Sequence, residues 1–173
     1  TGYLGGGMYN FSGSPQIVSC TFTGNGAEKG GGMYQLGVSL KVINCIFWGN
    51  NATDDGNEIH LSSVFATATV SYSAVKGGYP GTENTDADPN LGVLGNYGGP
   101  TEICPISPVS SAINKGSWDV TLWESISRDQ RGIPREQVSP DMGAYEYRSD
   151  LSLLRVRTRG SGTVTRSAAG TPL

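Results

Sequence analysis

The sequence predicts an all-β solenoid of stacked parallel strands followed by an irregular C-terminal cap, and three observations predict it. A block of residues recurs at a constant spacing of 25, its strand-like parts alternate apolar and polar residues, and the composition is rich in glycine and poor in charge. Glycine accounts for 26 of 173 residues, roughly twice the usual share, and charged residues make up 16% against a typical quarter. Such a composition suits a tightly turning, strand-rich body.

The repeat is read from two anchors. Gly5-Gly6-Gly7-Met8-Tyr9 returns as Gly30-Gly31-Gly32-Met33-Tyr34. Val18-Ser19-Cys20-Thr21-Phe22-Thr23-Gly24-Asn25 returns as Ile43-Asn44-Cys45-Ile46-Phe47-Trp48-Gly49-Asn50, so both anchors give one period. A third, weaker copy follows a one-residue insertion. In it Gly56-Asn57-Glu58-Ile59-His60 matches residues 30–34, and Thr69-Val70-Ser71-Tyr72-Ser73-Ala74 matches Val42 to Phe47. Terminal repeats are expected to be atypical in this way.

Within each unit the pattern has period two, the mark of a half-buried strand. Val18, Cys20 and Phe22 are apolar, and Ser19, Thr21 and Thr23 between them are polar. Ile43, Cys45 and Phe47 repeat the inward face, whereas Ile46 and Trp48 break the outward polarity of the second copy. At about 3.3 Å per residue one unit has a contour of about 80 Å, enough for one circuit of short strands and turns. A helical solenoid is opposed by the glycine triplets and the β-branched, period-two segments. Parallel stacking then predicts ladders: Cys20 over Cys45, Phe22 over Phe47, and Met8 over Met33 over Ile59 in the interior. Asn25 and Asn50, each after a glycine, would form a ladder at a turn.

Residues 76–100 lose the period and fill with turn formers, as in Gly77-Gly78-Tyr79-Pro80-Gly81-Thr82, and are expected to cover the last open edge of the coils. The glycine-rich units followed by Asn-Cys-x-Phe-type strands resemble right-handed parallel β-helix repeat proteins of the bacterial surface type, over roughly residues 4–75 of this chain. Five later motifs occur in an order that resembles the choice-of-anchor Q domain: Asp86-Ala87-Asp88-Pro89, Gly98-Gly99-Pro100-Thr101, Ser111 to Gly116, Asp129 to Arg135, and Asp141 to Glu146. Where that family reads SPAIDAG, this chain has Ser110-Ser111-Ala112-Ile113-Asn114-Lys115-Gly116 and lacks a proline and an acid. The expected division is coils over 1–75, an irregular cap over 76–148, and the start of a small β-repeat module over 149–173, built around Gly160 to Thr165. Because the first repeat begins almost at once after Thr1, a longer parent chain is expected.

Net charge is −3 and unevenly spread. Residues 51–100 hold Lys76 against six acids, and residues 151–173 hold Arg155, Arg157, Arg159 and Arg166 with no acid. Neither part interleaves basic and aromatic residues, which argues against nucleic acid as a partner. No run approaches the roughly 18 apolar residues of a membrane helix. Cys20, Cys45 and Cys104 match neither a disulfide framework nor a zinc spacing. In the expected register Cys20 and Cys45 are stacked free thiols, because two parallel side-chain vectors do not offer the dihedral of a disulfide.

Chemistry requires clustered groups, and the coils have few. Residues 1–53 carry only Glu28, Lys29 and Lys41 as charged side chains, too few for a carboxylate pair or an acid–calcium site. Asp54, Asp55 and Glu58 beside the third turn, and Asp86 with Asp88, are the candidate calcium ligands. Both groups are read first as solvated or turn-capping acids, because calcium prefers six to eight oxygens. Asp129, Arg131, Arg135, Asp141 and Glu146 are read as a structural network of arginine–carboxylate pairs. His60 takes the ladder position of Tyr9 and Tyr34, facing outward. Tyr9, Tyr34 and Trp48 are the candidate ligand contacts, since exposed aromatics on a flat sheet stack on sugar rings or dock a partner.

The resemblance implies a non-enzymatic structural or adhesive module of a large secreted or surface-displayed bacterial protein, without a resident cofactor. Its expected partners are a surface glycan or protein and the remainder of its own larger chain. Two alternatives stay open: the C-terminal part of a polysaccharide lyase or glycoside hydrolase of β-helix type, or a β-helix that binds glycans without cleaving them.

Overall fold

The computed structural model describes residues 2–62, 66–118 and 127–149, and all regular structure among them is β. The first circuit of the chain makes β1 (Gly2–Leu4), β2 (Met8–Asn10), β3 (Gln16–Val18) and β4 (Thr21–Thr23). The second makes β5 (Gly26–Lys29), β6 (Met33–Gln35), β7 (Ser39–Ile43) and β8 (Ile46–Trp48), and the third β9 (Asn51–Asp55), β10 (Ile59–Leu61), β11 (Thr67–Ser71) and β12 (Ala74–Val75). One more short strand, β13 (Gly81–Thr82), follows. Equivalent strands stack in four parallel sheets: β1-β5-β9, β2-β6-β10, β3-β7-β11-β13 and β4-β8-β12. The result is a β-helix-like coil with four short sides.

Corners explain why the strands are so short. The residue between the third and fourth side takes a left-handed backbone in every circuit: Ser19 at φ 50°, Asn44 at 53°, Tyr72 at 50° and Glu83 at 52°. Only Asn44 is a residue type that tolerates this conformation well, so stacking holds the others there.

Between the first and second circuits the register is 25 throughout, with Met8 on Met33, Ile17 on Val42 and Phe22 on Phe47. The predicted one-residue insertion lies in β9, where the pairing slips between Ala27 and Lys29, so that Ile59 stacks on Met33 and His60 on Tyr34. The expected match of Thr69 to Val42 is off by one. Val70 stacks on Val42 and Ala74 on Ile46. The reason is the strand period: a one-residue slip would send Thr69 inward and leave Val70, 1% exposed, facing out.

Inside the coil Met33, Leu40, Val42, Cys45, Phe47, Val70 and Val75 form the buried core, with Met8, Ile17, Phe22 and Ile59 packed against it. The Phe22 and Phe47 rings stack with centroids 4.5 Å apart and planes within 8°.

The segment after the coils departs from expectation in two ways. Its first part loses the 25-residue period, as expected, but still stacks in parallel: Gly81 pairs with Val70 and Thr85 bridges to Ala74, each 11 residues on, with Glu83 at the corner. Residues 81–85 are thus a shortened circuit of two sides that covers the end of the stack. Its second part lies along the flank of the coils, where Ile46 and Ala74 bury against Ile106, Ala112 and Met142, and Trp48, Tyr145 and Tyr147 pack around them. Backbone ties fix it there. The Gly143 N–H donates to Asn44 O (2.7 Å), the Ala144 N–H to Thr21 Oγ1 (3.0 Å), and Asn44 exchanges two hydrogen bonds of 2.7 Å with the Ser117 backbone. The apolar break at Ile46 and Trp48 is therefore a docking face for the chain's own C-terminal half. The small β-repeat expected around Gly160 to Thr165 lies outside the described residues.

Candidate functional site

The three aromatic candidates do not converge. Tyr9 and Tyr34 stand in register on β2 and β6, with His60 next in the ladder on β10, while Trp48 lies on β8 in a different sheet. Ring centroids along the ladder are 5.5 Å apart for Tyr9–Tyr34 and 5.0 Å for Tyr34–His60, the latter pair stacked at 19°. Because Met8, Met33 and Ile59 take the inward positions, the rings face away from the core, as alternation demands.

Facing outward does not mean exposed. Tyr34 is 7% exposed, held between its ladder neighbours, with its hydroxyl donating to Ser62 Oγ at 2.5 Å. It cannot serve as a contact surface. Trp48 is half-buried against the C-terminal half. The accessible end of the ladder is Tyr9, 44% exposed, and beside it Phe11, 68% exposed, with ring centroids 6.5 Å apart. Phe11 was legible: it stands two residues after Tyr9, hence on the same face of an extended chain.

The candidate calcium ligands are drawn apart by separate partners. Asp54 pairs with Lys29 (3.2 Å) and Asp55 with His60 Nδ1 (3.1 Å). Glu58, expected in a solvated turn, is buried. Its carboxylate accepts from the Gly49 N–H at 3.0 Å and from Asn50 Nδ2 at 2.5 Å, and burial raises its pKa. The asparagine ladder explains the placement: Asn25 Nδ2 donates to Asn50 Oδ1 (2.9 Å), and the third circuit presents Glu58 where the next acceptor is needed. Asp88 caps its own turn, accepting the Asn90 N–H at 2.7 Å. Among the described residues no group of three or more His, Cys, Asp or Glu side chains is placed to hold a metal ion.

Asp129, Arg131, Arg135, Asp141 and Glu146 form one buried network. Asp129 accepts from the backbone N–H of Arg131 (2.8 Å), Ile133 (3.0 Å) and Glu146 (3.1 Å), and from Arg131 Nε (2.8 Å) and Nη2 (2.6 Å). Arg131 also lies 3.7 Å over the Tyr145 ring. Arg135 Nη1 meets Glu146 Oε2 at 3.0 Å, and Nη2 donates to Gly143 O at 2.7 Å, while its Nε finds no hydrogen-bond partner among the described residues. Glu146 in turn accepts the N–H groups of Glu136 and Asp141. The carboxylates thus face backbone donors and arginines, with no open face toward a substrate.

Within this network the Asp141 carboxyl has a raised pKa. Burial pushes its carboxyl up to about 6, with the nearby Glu146 charge adding to the rise, against hydrogen bonds from the Asn114 and Tyr147 N–H groups and the Arg135 charge. A folded-state value raised above the ordinary carboxylate range contributes stability that is complete below about 3.8 and is lost as pH rises through about 6. The native chain is therefore expected to resist denaturant better, through this group, at pH 4.5 than at pH 7. Urea titrations at both values check it: Asp141→Asn should remove part of the pH difference, and an unchanged difference would exclude the group.

Cys20 and Cys45 are free and stacked, as is expected of in-register thiols. The Cys20 N–H donates to Cys45 Sγ (3.4 Å), and the Cys45 N–H to Ser73 Oγ (3.0 Å). Burial pushes the Cys45 thiol well up, and its hydrogen bond lowers Cys20 to about 7. Along the seam between the first circuits and the C-terminal half runs a groove of about 510 Å³ lined by Thr23, Asn25, Glu102, Cys104 and Gln130. It brings no base beside a nucleophile. In comparisons with known proteins the chain matches no family model, no curated protein and no solved structure.

Proposed function

We propose that the chain is a non-enzymatic structural and adhesive module of a large secreted or surface-displayed bacterial protein. On this reading residues 1–75 are a right-handed parallel β-helix, and residues 76–148 are a choice-of-anchor Q-like segment clamped along its flank. The observation that carries the reading is the use made of the charges. The arginines and carboxylates between Asp129 and Glu146 are spent inside the fold on backbone groups and on one another, while the coils turn threonine and aromatic side chains outward.

The contact surface is the Tyr9–Phe11 pair, two rings that can lie against a sugar face or an apolar patch of a partner protein. The partner expected is a surface glycan. A glycan array with the chain immobilised tests it. Tyr9→Ala and Phe11→Ala together should weaken binding about tenfold or more, equivalent to about 1.4 kcal/mol, with the far-ultraviolet spectrum unchanged. Binding that ignores both substitutions would remove the aromatic pair as the contact, and release of reducing ends from a polysaccharide would overturn the non-enzymatic reading.

A further inference from the structure

The triplet Asn-x-Ser/Thr, in which x is not proline, is the acceptor for N-linked sugars, and the chain contains Asn10-Phe11-Ser12 and Asn51-Ala52-Thr53. By itself the triplet is a weak signal. The fold treats the two asparagines differently, and the reaction needs what only one of them offers. An amide nitrogen is a poor nucleophile, so a transferase must seize the asparagine side chain, turn its amide and read the hydroxyl two residues on. Both side chains of the triplet have to be free for that, as on an open surface.

Asn51 meets the requirement. It is exposed at the start of β9, the outer strand of the β1-β5-β9 sheet, and its side-chain amide makes no hydrogen bond among the described residues. Its ladder neighbour in the second circuit is Gly26, which has no side chain to crowd an attached sugar. Thr53 is exposed as well, two residues along an extended strand and hence on the same side. The strand is open to approach from its outer edge: the Ala52 N–H donates to Asn57 Oδ1 (2.8 Å), a local side chain, and the pairing with β5 slips just past Ala52. Asn10 is held. Its Nδ2 donates to Gln35 Oε1 at 2.9 Å, and Gln35 is 0% exposed. Gly37 closes on the same nitrogen, since a Cβ there would come within 2.9 Å of Asn10 Nδ2. A sugar on Asn10 would have to displace both.

We propose that Asn51 carries an N-linked glycan and that Asn10 stays bare. In the transfer Asn51 Nδ2 attacks the anomeric carbon of a sugar activated as its diphosphate ester. The N–C bond forms, the C–O bond to the diphosphate breaks with its electron pair leaving on oxygen, and one amide proton passes to a base of the transferase. The glycan stands on the β1-β5-β9 sheet, a different sheet from that of Tyr9 on β2, and its attachment is independent of what Tyr9 and Phe11 bind.

Peptide mass mapping of the chain isolated from the cells that make it is the first test. An amidase that releases N-linked glycans leaves aspartate at the attachment point, and that mark is expected at Asn51 and not at Asn10. A bare Asn51, or a mark at Asn10, would overturn the proposal. The second test asks whether the fold makes the choice. The folded chain is treated with a transferase that moves hexose from a nucleotide diphosphate sugar, chosen because it modifies synthetic peptides of residues 5–16 and 46–57 alike. Asn51 should react about tenfold or more faster than Asn10, which must wait for local opening of the coil. Thr53→Ala should abolish modification at Asn51, and Thr53→Ser should keep it. Equal rates at the two asparagines, or modification of Asn51 that ignores Thr53→Ala, would show the assignment to be wrong.

Discussion

Asp129→Asn is expected to lower stability by about 3–5 kcal/mol, the cost of breaking a buried charge pair while leaving its partner in place. Five donors converge on this carboxylate, three of them backbone N–H groups and two from Arg131. An amide of the same shape keeps one acceptor oxygen and replaces the other with an NH₂ group, which must face either the guanidinium and the Glu146 N–H or the Arg131 and Ile133 N–H groups. The Arg131 charge is then buried without compensation, over a Tyr145 ring that cannot replace the carboxylate. Because Glu146 also receives Arg135, the loss should spread through residues 127–149 and loosen their contact with Ile46 and Asn44. Chemical denaturation of the variant and the native chain measures the difference. A loss under about 1 kcal/mol would mean that the network does not hold the C-terminal half.

Gly31→Ala should be nearly as damaging, about 3 kcal/mol or more, for a steric reason. A Cβ at Gly31 would lie 2.5 Å from Asn57 O and 2.6 Å from Asn51 O, both backbone atoms of the next circuit. Neither can move without breaking the strand stacking, because the Gly31 N–H already donates to Gly56 O and the Gly32 N–H to Asn57 O. Gly24→Ala is the control. At φ +68° it carries the left-handed penalty of about 1–2 kcal/mol, but its Cβ meets nothing within 4 Å. Thermal melts of the two variants should therefore separate clearly, and equal melting points would show that conformation, and not the close approach of circuits, sets the glycine requirement.

Much of the coil was legible before the fold was known. Phe22 over Phe47, Met8 over Met33 over Ile59, Cys20 over Cys45 and Asn25 over Asn50 follow from one period and the rule that parallel circuits stack equivalent residues. The pattern weakened where the period changed. From Gln35–Leu61 to Ser39–Thr67 the offset grows from 26 to 28 residues, and spacing alone misplaced Thr69 by one. Glu58 misled for another reason: an acid beside glycine and asparagine reads as a solvated turn, and only the unfinished Asn50 ladder shows why it is buried.

The candidate contact surface was half legible. Alternation separated Tyr9 and Tyr34 from the core, yet whether an outward ring meets water depends on what lies above it, here the neighbouring rings and Ser62. The same limit applied to Ile46 and Trp48. Their apolar character at outward positions was plain in the chain, but the surface that covers them comes from residues 91 to 147.

Repetition carries the coil because each ladder contact joins residues about 25 apart and recurs, so the pattern is written more than once. The flank is held by contacts that occur a single time, between Asn44 and Ser117 across 73 residues and between Thr21 and Ala144 across 123. Nothing in a periodic pattern encodes such pairs. They depend on which face the coils leave apolar and on where an aperiodic chain can meet it, and both are properties of the assembled fold.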